Sequence, residues 1–357
     1  MTVFTRSLEG GGAERVAYLL ANEFARSGVG VDLVLQFATG PYLDAVDPSV
    51  RILEIGRRLR WSVPWLIRYL RTYRPKAVLG LLTENNVAIL LGALLSSYKG
   101  RIVVSERNSL RQRRYIPPWI VRPVVRYLYP RADRVVALTN EMADELVALG
   151  LHRSKVTVIP NPVSVEHVLA QGGQALDHAF FNAGVPVLVA VGRLVAQKDY
   201  PTMLQAAFLL SLDLDFRLLV LGEGEERLRL QQLTDQLGLQ GVVDFPGFKS
   251  PPWPWMARSD LLVLSSTFEG WGNVVAEALA LGLRVVSTDC PTGPREILDD
   301  GRFGTLVPVR DPRALADGII STLAAPKEPE RLRRRAREWE TERVANMYLE
   351  LLGVVEC

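Results

Sequence analysis

Short runs of apolar residues recur along the chain, each followed by a longer stretch in which apolar and polar positions alternate with helical spacing. That alternation is the signature of βαβ units, whose strands are buried on both faces of a parallel sheet. In the first half the pattern predicts strands at Thr2–Thr5, Val31–Gln36, Ala77–Leu81, Ile102–Ser105, Arg134–Leu138 and Thr157–Ile159. In the second half it predicts them at Val187–Val191, Arg217–Leu221, Val242–Phe245, Leu261–Leu264, Arg284–Ser287 and Thr305–Leu306. Pro160 and Pro162 end the first series, and a Gly-, Ala- and Gln-rich stretch from Leu169 to Gly184 reads as the linker. The expectation is an α/β protein of two Rossmann-like domains with parallel sheets, covering residues 1–165 and 180–335. A terminal helix within 336–357 is expected to return to the first domain. Ligand is expected in a cleft between them, at the C-terminal ends of both sheets.

Composition narrows the class. A chain of 357 residues, 48% hydrophobic, fits two domains, and a net charge of +3 gives no reason to expect nucleic acid as a partner. The cations are mostly Arg; Lys occurs only at positions 76, 99, 155, 198, 249 and 327, so Lys198, beside a strand end, stands out. Two cysteines, Cys290 and Cys357, fit a reducing compartment rather than a disulfide framework. The longest apolar run, Val87 to Leu95, is too short to span a bilayer and reads as buried helix. The opening residues lack the pattern of a signal peptide, so the expected location is cytoplasmic.

Residues 265–298 carry the clearest chemistry. A strand runs into a loop with Glu269, Gly270 and Gly272, a helix beginning near Asn273 and Val274 follows, and Glu277 lies one turn inside it. Unpaired N–H groups at such a helix start form an anion site. Carboxylates on either side suit sugar hydroxyls, so the segment reads as a nucleotide-sugar pocket. A glycosidase pair would stand roughly 5–9.5 Å apart. Eight residues of continuous helix would separate Glu269 and Glu277 by about 12 Å, which does not fit an acid and a nucleophile flanking one bond. Four further groups are expected to line the cleft. Gly10, Gly11 and Gly12 open the first helix without the spacing or the Lys of a P-loop. Arg193 and Lys198 follow the first strand of the second half and suit a diphosphate. Gly222 and Gly224 let a strand end approach a nucleoside, and Phe248 could wall a base.

Taken in order, LEGGGAERV, VIPNPV, VGRLVAQKDY, LLVLGEGEER, the E-x7-E pair Glu269 and Glu277, and CPTGPREIL resemble the family-4 retaining glycosyltransferases of GT-B type, the group 1 enzymes of bacterial surface glycans. The resemblance covers nearly the whole chain. It implies that Arg193 and Lys198 hold the donor diphosphate, that Glu277 binds ribose, and that Glu269 with the backbone of Gly272 to Val274 meets the transferred sugar and the phosphates. It implies a UDP-sugar as co-substrate, a glycan or polyprenyl-diphosphate-linked acceptor, retention of configuration, and no metal or other cofactor. One departure is SERN, with Glu106, Arg107 and Asn108, where many members place a histidine. The string Asp213-Leu214-Asp215 matches a Mn²⁺-binding D-x-D, but it precedes its strand and so lies at the wrong end of the sheet. Residues 101–134 interleave nine Arg with Tyr115, Trp119, Tyr127 and Tyr129, which reads as a peripheral contact with an anionic membrane surface or as a solvated helix in an Arg-rich protein. A GT-B-type UDP-sugar epimerase and an inactive partner protein share the fold and remain the alternatives.

Overall fold

A computed structural model describes residues 1–56, 59–111 and 118–354. Arg113, Arg114 and Tyr115 of the Arg-rich segment, and Cys357, lie outside the described residues. The chain forms two compact units. One comprises Met1–Pro162 and the segment from Thr341 onward; the other is Val163–Glu340.

The first unit holds a seven-stranded parallel sheet. Its strands are β1 (Thr2–Thr5), β2 (Asp32–Leu35), β3 (Arg51–Glu54), β4 (Ala77–Leu81), β5 (Arg101–Ser105), β6 (Arg134–Ala137) and β7 (Val156–Val158), in the order β3-β2-β1-β4-β5-β6-β7. β3 is absent from the sequence expectation. It is an edge strand with mostly exposed side chains, so it lacks the continuous apolar run by which the inner strands are recognised. The helix Gly12–Arg26 connects β1 to β2 and packs against the C-terminal helix Thr341–Leu352.

The second unit holds β8 (Val187–Val191), β9 (Arg217–Leu221), β10 (Val243–Gly247), β11 (Leu261–Leu264), β12 (Arg284–Thr288) and β13 (Thr305–Val307), in the order β10-β9-β8-β11-β12-β13, all parallel. Its core joins Leu188, Val220, Leu261 and Val286 of the sheet to Leu204, Leu210 and Leu315 of the covering helices.

The boundary between units corrects the expected linker. Val165–Gly172 is a helix of the second unit, packed on Asn273–Leu281 and Trp253–Ala257, and the division falls at Pro162, directly after the last strand. Polar Gly- and Gln-rich composition hid a helix whose Val165 and Val168 are fully buried. The return is also later than position 336. Pro329–Arg337 packs within the second unit, and only from Thr341 does the chain belong to the first.

Candidate functional site

Both sheets reverse their strand order once. In the second unit the reversal lies between β8 and β11, which run side by side while the chain leaves them in opposite directions. Such a switch point opens a crevice at the carboxyl ends of the two strands. The loops that leave those ends carry Arg193–Lys198 and Ser265–Gly272.

These loops are tied together. Lys198 Nζ donates to Glu269 Oε1 at 2.6 Å, with side-chain exposures of 16% and 8%. Ser266 Oγ donates to the same carboxylate oxygen at 2.6 Å. Ser265 Oγ donates to the Lys198 carbonyl at 2.7 Å, Thr267 N to the Gln197 carbonyl at 2.9 Å, and Gln197 Nε2 to the Phe268 carbonyl at 2.9 Å. Thr292, from the loop after β12, donates to the Glu269 backbone oxygen. A mostly buried cation and carboxylate are thus fixed at the strand ends by at least five surrounding bonds, which is the preorganisation a binding site requires. Arg193 is exposed and forms no ion pair among the described residues.

The helix Asn273–Leu281 begins here. Its first residue is preceded by Gly272 at φ 94°, in the left-handed region, and no acidic residue occupies its first turn. Asn273 and Val274 are half-buried. Glu277 is buried, and its Oε2 accepts from Trp253 Nε1 at 2.8 Å. Cys290 lies near the pair, and burial, with the Glu269 charge adding to it, pushes its thiol up to about 12. That shift is opposite to the lowered value of a reactive thiol, and the buried Cys290 packs as an apolar side chain.

Gly222 and Gly224 have a second reason to be glycine. A Cβ on Gly224 would lie 2.3 Å from the Leu194 carbonyl oxygen, and one on Gly222 1.9 Å from that of Gly192. The backbone after β9 therefore packs directly on the loop that carries Arg193. Phe248 follows β10 and is 55% exposed, whereas Phe245 is buried in the core. Asp213-Leu214-Asp215 lies between the helix Tyr200–Ser211 and β9, at the amino end of the sheet.

In the first unit, Gly11 and Gly12 start the helix Gly12–Arg26 and are exposed. Glu14 already occupies that helix start: its Oε2 accepts from Gly11 N at 2.9 Å and its Oε1 from Ser7 Oγ at 2.7 Å. A carboxylate there opposes a close phosphate. The helix at Gly272 has no such opponent in its first turn.

SERN is built into the interior. Glu106 accepts from Thr83 Oγ1 at 2.5 Å, from Asn86 Nδ2 at 3.0 Å and from the Tyr129 hydroxyl. Arg107 is buried and donates to Asn161 Oδ1 at 2.5 Å and to the Tyr348 hydroxyl at 3.0 Å. Burial pulls its guanidinium below the ordinary value, and Tyr348 and Glu106 oppose that pull. Arg107 thus joins the loop after β5, the segment after β7 and the C-terminal helix.

Sequence reading missed the hydroxyls of Ser265, Ser266 and Thr292 and the indole of Trp253. The Ser-Ser-Thr run after an apolar strand was a visible signal. The Trp253 contact was not, since its partner is 24 residues away.

Comparison with known proteins gives matches to two family models, Glycosyltransferase Family 4 over residues 10–167 and Glycosyl transferases group 1 over residues 177–339. The chain is 29% identical over 353 residues to the lipopolysaccharide core biosynthesis glycosyltransferase LpsE of Rhizobium meliloti, covering 96% of each chain. It is 27% identical over 339 residues to the N-acetylgalactosamine-N,N'-diacetylbacillosaminyl-diphospho-undecaprenol 4-alpha-N-acetylgalactosaminyltransferase of Campylobacter jejuni, covering 90% and 89%. Among solved structures, Anabaena Alr3699/HepE in complex with UDP and glucose aligns over 99% of each chain with a TM-score of 0.80 at 18% identity. Two parallel-sheet units of this topology, matched over nearly their whole length by those two models, place the chain in the family-4 glycosyltransferases of GT-B type.

Proposed function

We propose that this glycosyltransferase moves a sugar from a UDP-linked donor, with retention of configuration and without a metal, to a glycan or polyprenyl-diphosphate-linked acceptor in bacterial surface-polysaccharide assembly. The observation that carries the reading is the Lys198–Glu269 pair, held at 2.6 Å on the switch-point loops beside the start of the helix Asn273–Leu281. The relatives support the acceptor class, because one is named for lipopolysaccharide core biosynthesis and another for a diphospho-undecaprenol-linked substrate.

The chemistry follows from those groups. The bond from the anomeric carbon to the diphosphate breaks, leaving negative charge on the phosphate. Lys198, Arg193 and the N–H groups near Asn273 and Val274 stabilise that charge. The acceptor hydroxyl bonds to the anomeric carbon on the face the phosphate leaves, and its proton passes to the departing diphosphate. Glu277 holds the ribose and Glu269 the transferred sugar; Gly222, Gly224 and Phe248 border the nucleoside. No step requires a protein base.

The experiment is release of UDP from UDP-sugars with and without lipid-linked acceptor. Stimulation by the acceptor, with an α-linked product from an α-linked donor, supports the reading; an inverted product overturns the retaining mechanism. The same assay in excess EDTA is expected to keep its full rate, because Lys198, Arg193 and the helix start supply the charge stabilisation. Complete loss, restored by Mn²⁺ or Mg²⁺, removes metal independence from the proposal.

A further inference from the structure

The positive charge of this protein is concentrated in one stretch of its sequence. Between Arg57 and Arg131 the chain carries sixteen Arg and Lys against two Glu, although the whole chain has a net charge of only +3. The three connections β3→β4, β4→β5 and β5→β6 all move in the same direction across the sheet. Right-handed crossovers therefore place their helices on one face, opposite Gly12–Arg26. These are Leu59–Tyr73, Thr83–Ser96 and the short helix Pro118–Pro123 with the turn Val124–Leu128 that continues it.

The outer surface of this layer is apolar as well as basic. The apolar run of Thr83–Ser96 is helical, as expected, but it is not all buried. Ile89 and Ala93 face the core, while Val87 and Leu91 are half-buried and Leu94 and Leu95 are 52% and 56% exposed, all at helical spacing. The neighbouring helix Leu59–Tyr73 packs on it, with Arg71 donating to the Leu95 carbonyl at 2.9 Å. It presents Trp61, Trp65, Arg68 and Thr72 outward, again at helical spacing. Among the described residues, every Trp and Tyr with an exposed side chain lies in this layer: Trp61, Tyr73, Trp119 and Tyr127. Arg68, Arg74, Lys99, Arg122 and Arg126 are exposed between them. Single exposed apolar residues are ordinary on a soluble protein, but a run of them on three adjacent helices is not. A cavity of about 210 Å³, lined by Val87, Leu110, Ile120 and Val124 among others, lies within the same layer. No described helix is long and apolar enough to cross a bilayer, so such a face can lie on one but not span it.

We infer that the helices Leu59–Tyr73, Thr83–Ser96 and Pro118–Pro123 form one docking face for an anionic lipid bilayer. Arg68, Arg74, Arg122 and Arg126 meet the headgroups, and Trp61, Leu94, Leu95 and Trp119 enter the interface. Aromatic rings favour that depth, and cations are drawn to acidic lipid. The face is wider than the Arg-rich segment after β5: two of its three helices precede that segment. The purpose of docking rests on the lipid-linked acceptor proposed above; the docking itself is measured without acceptor or donor.

The full-length protein is floated with vesicles of phosphatidylcholine, with and without phosphatidylglycerol. Binding is expected only with phosphatidylglycerol, falling as salt rises, and brominated acyl chains should quench part of the Trp emission. Arg68→Gln with Arg122→Gln should weaken binding about 25-fold, at about fivefold for each cation near the surface. Leu94→Ser with Leu95→Ser should weaken it at unchanged charge. Arg310→Gln with Arg334→Gln, which removes as much charge from exposed positions of the second unit, should leave binding unchanged. UDP affinity should stay the same in every variant, which separates this inference from the donor site. Equal weakening by the two Arg pairs, or no bromine quenching, overturns it. So does tighter binding to single-stranded RNA than to the anionic vesicle at the same salt.

Discussion

Lys198→Ala is expected to lower turnover at least about a hundredfold, the loss typical when one preorganised group facing developing charge is removed. Two effects need separating, because the amine has a protein partner. Truncation removes the cation proposed to face the diphosphate. It also leaves the Glu269 carboxylate, only 8% exposed, with the Ser266 hydroxyl as its remaining side-chain donor among the described residues. Breaking a buried pair from one side costs about 3–5 kcal/mol; with Lys198 itself 16% exposed, the lower end applies. The single variant should therefore melt at a lower temperature as well as turn over slowly. Lys198→Ala combined with Glu269→Ala removes the stranded charge and should recover much of the stability. Turnover should stay low in the double variant. UDP release read beside a thermal melt decides the matter. Near-normal turnover in Lys198→Ala removes Lys198 from the donor site, and recovery of turnover in the double variant would assign the loss to the stranded carboxylate instead.

That coupling marks the limit of what the sequence could yield. Glu269, Gly272, Asn273 and Glu277 were legible as a unit because they lie within one strand–loop–helix segment whose apolar periodicity switches from strand to helix. Arg193 and Lys198 were legible as a strand-end pair of cations. That Lys198 closes directly on Glu269, 71 residues away, depends on β8 and β11 being neighbours, and periodicity carries no strand order. The same holds for Arg107, whose partners Asn161 and Tyr348 are 54 and 241 residues distant. Inner strands were found because burial on both faces makes them uniformly apolar. β3 was missed because an exposed edge strand need not be. Val165–Gly172 was missed because Gly and Gln dominate the composition around it. Val87 to Leu95 is the expected helix and is buried at Ala88, Ile89, Leu90, Gly92 and Ala93, but Leu94 and Leu95 are exposed: a run of leucines reads as core whether its outer side meets protein or not.

Exchanging each glutamate for glutamine should divide their roles. Glu277 sits one turn inside the helix Asn273–Leu281, buried, with one oxygen taken by Trp253 Nε1. In the proposed role a ribose hydroxyl donates to this carboxylate. Glutamine keeps the shape and one acceptor oxygen but loses the charge. Hydrogen bonds to charged groups contribute about 1.5–3 kcal/mol, so Glu277→Gln should weaken UDP binding by roughly ten- to a hundredfold. Glu269→Gln acts in the opposite sense on the nucleotide. Its carboxylate neutralises Lys198 in the ligand-free protein, so removing its charge leaves the amine wholly available to phosphate. UDP should bind Glu269→Gln no more weakly than it binds the parent. Transfer should nevertheless fall, because the proposed contact with the sugar is lost. Calorimetric titration of UDP beside the transfer assay tests both halves. If the two variants weaken UDP equally, the separation of ribose and sugar contacts is refuted; if Glu269→Gln transfers sugar at the parental rate, Glu269 serves only to hold Lys198.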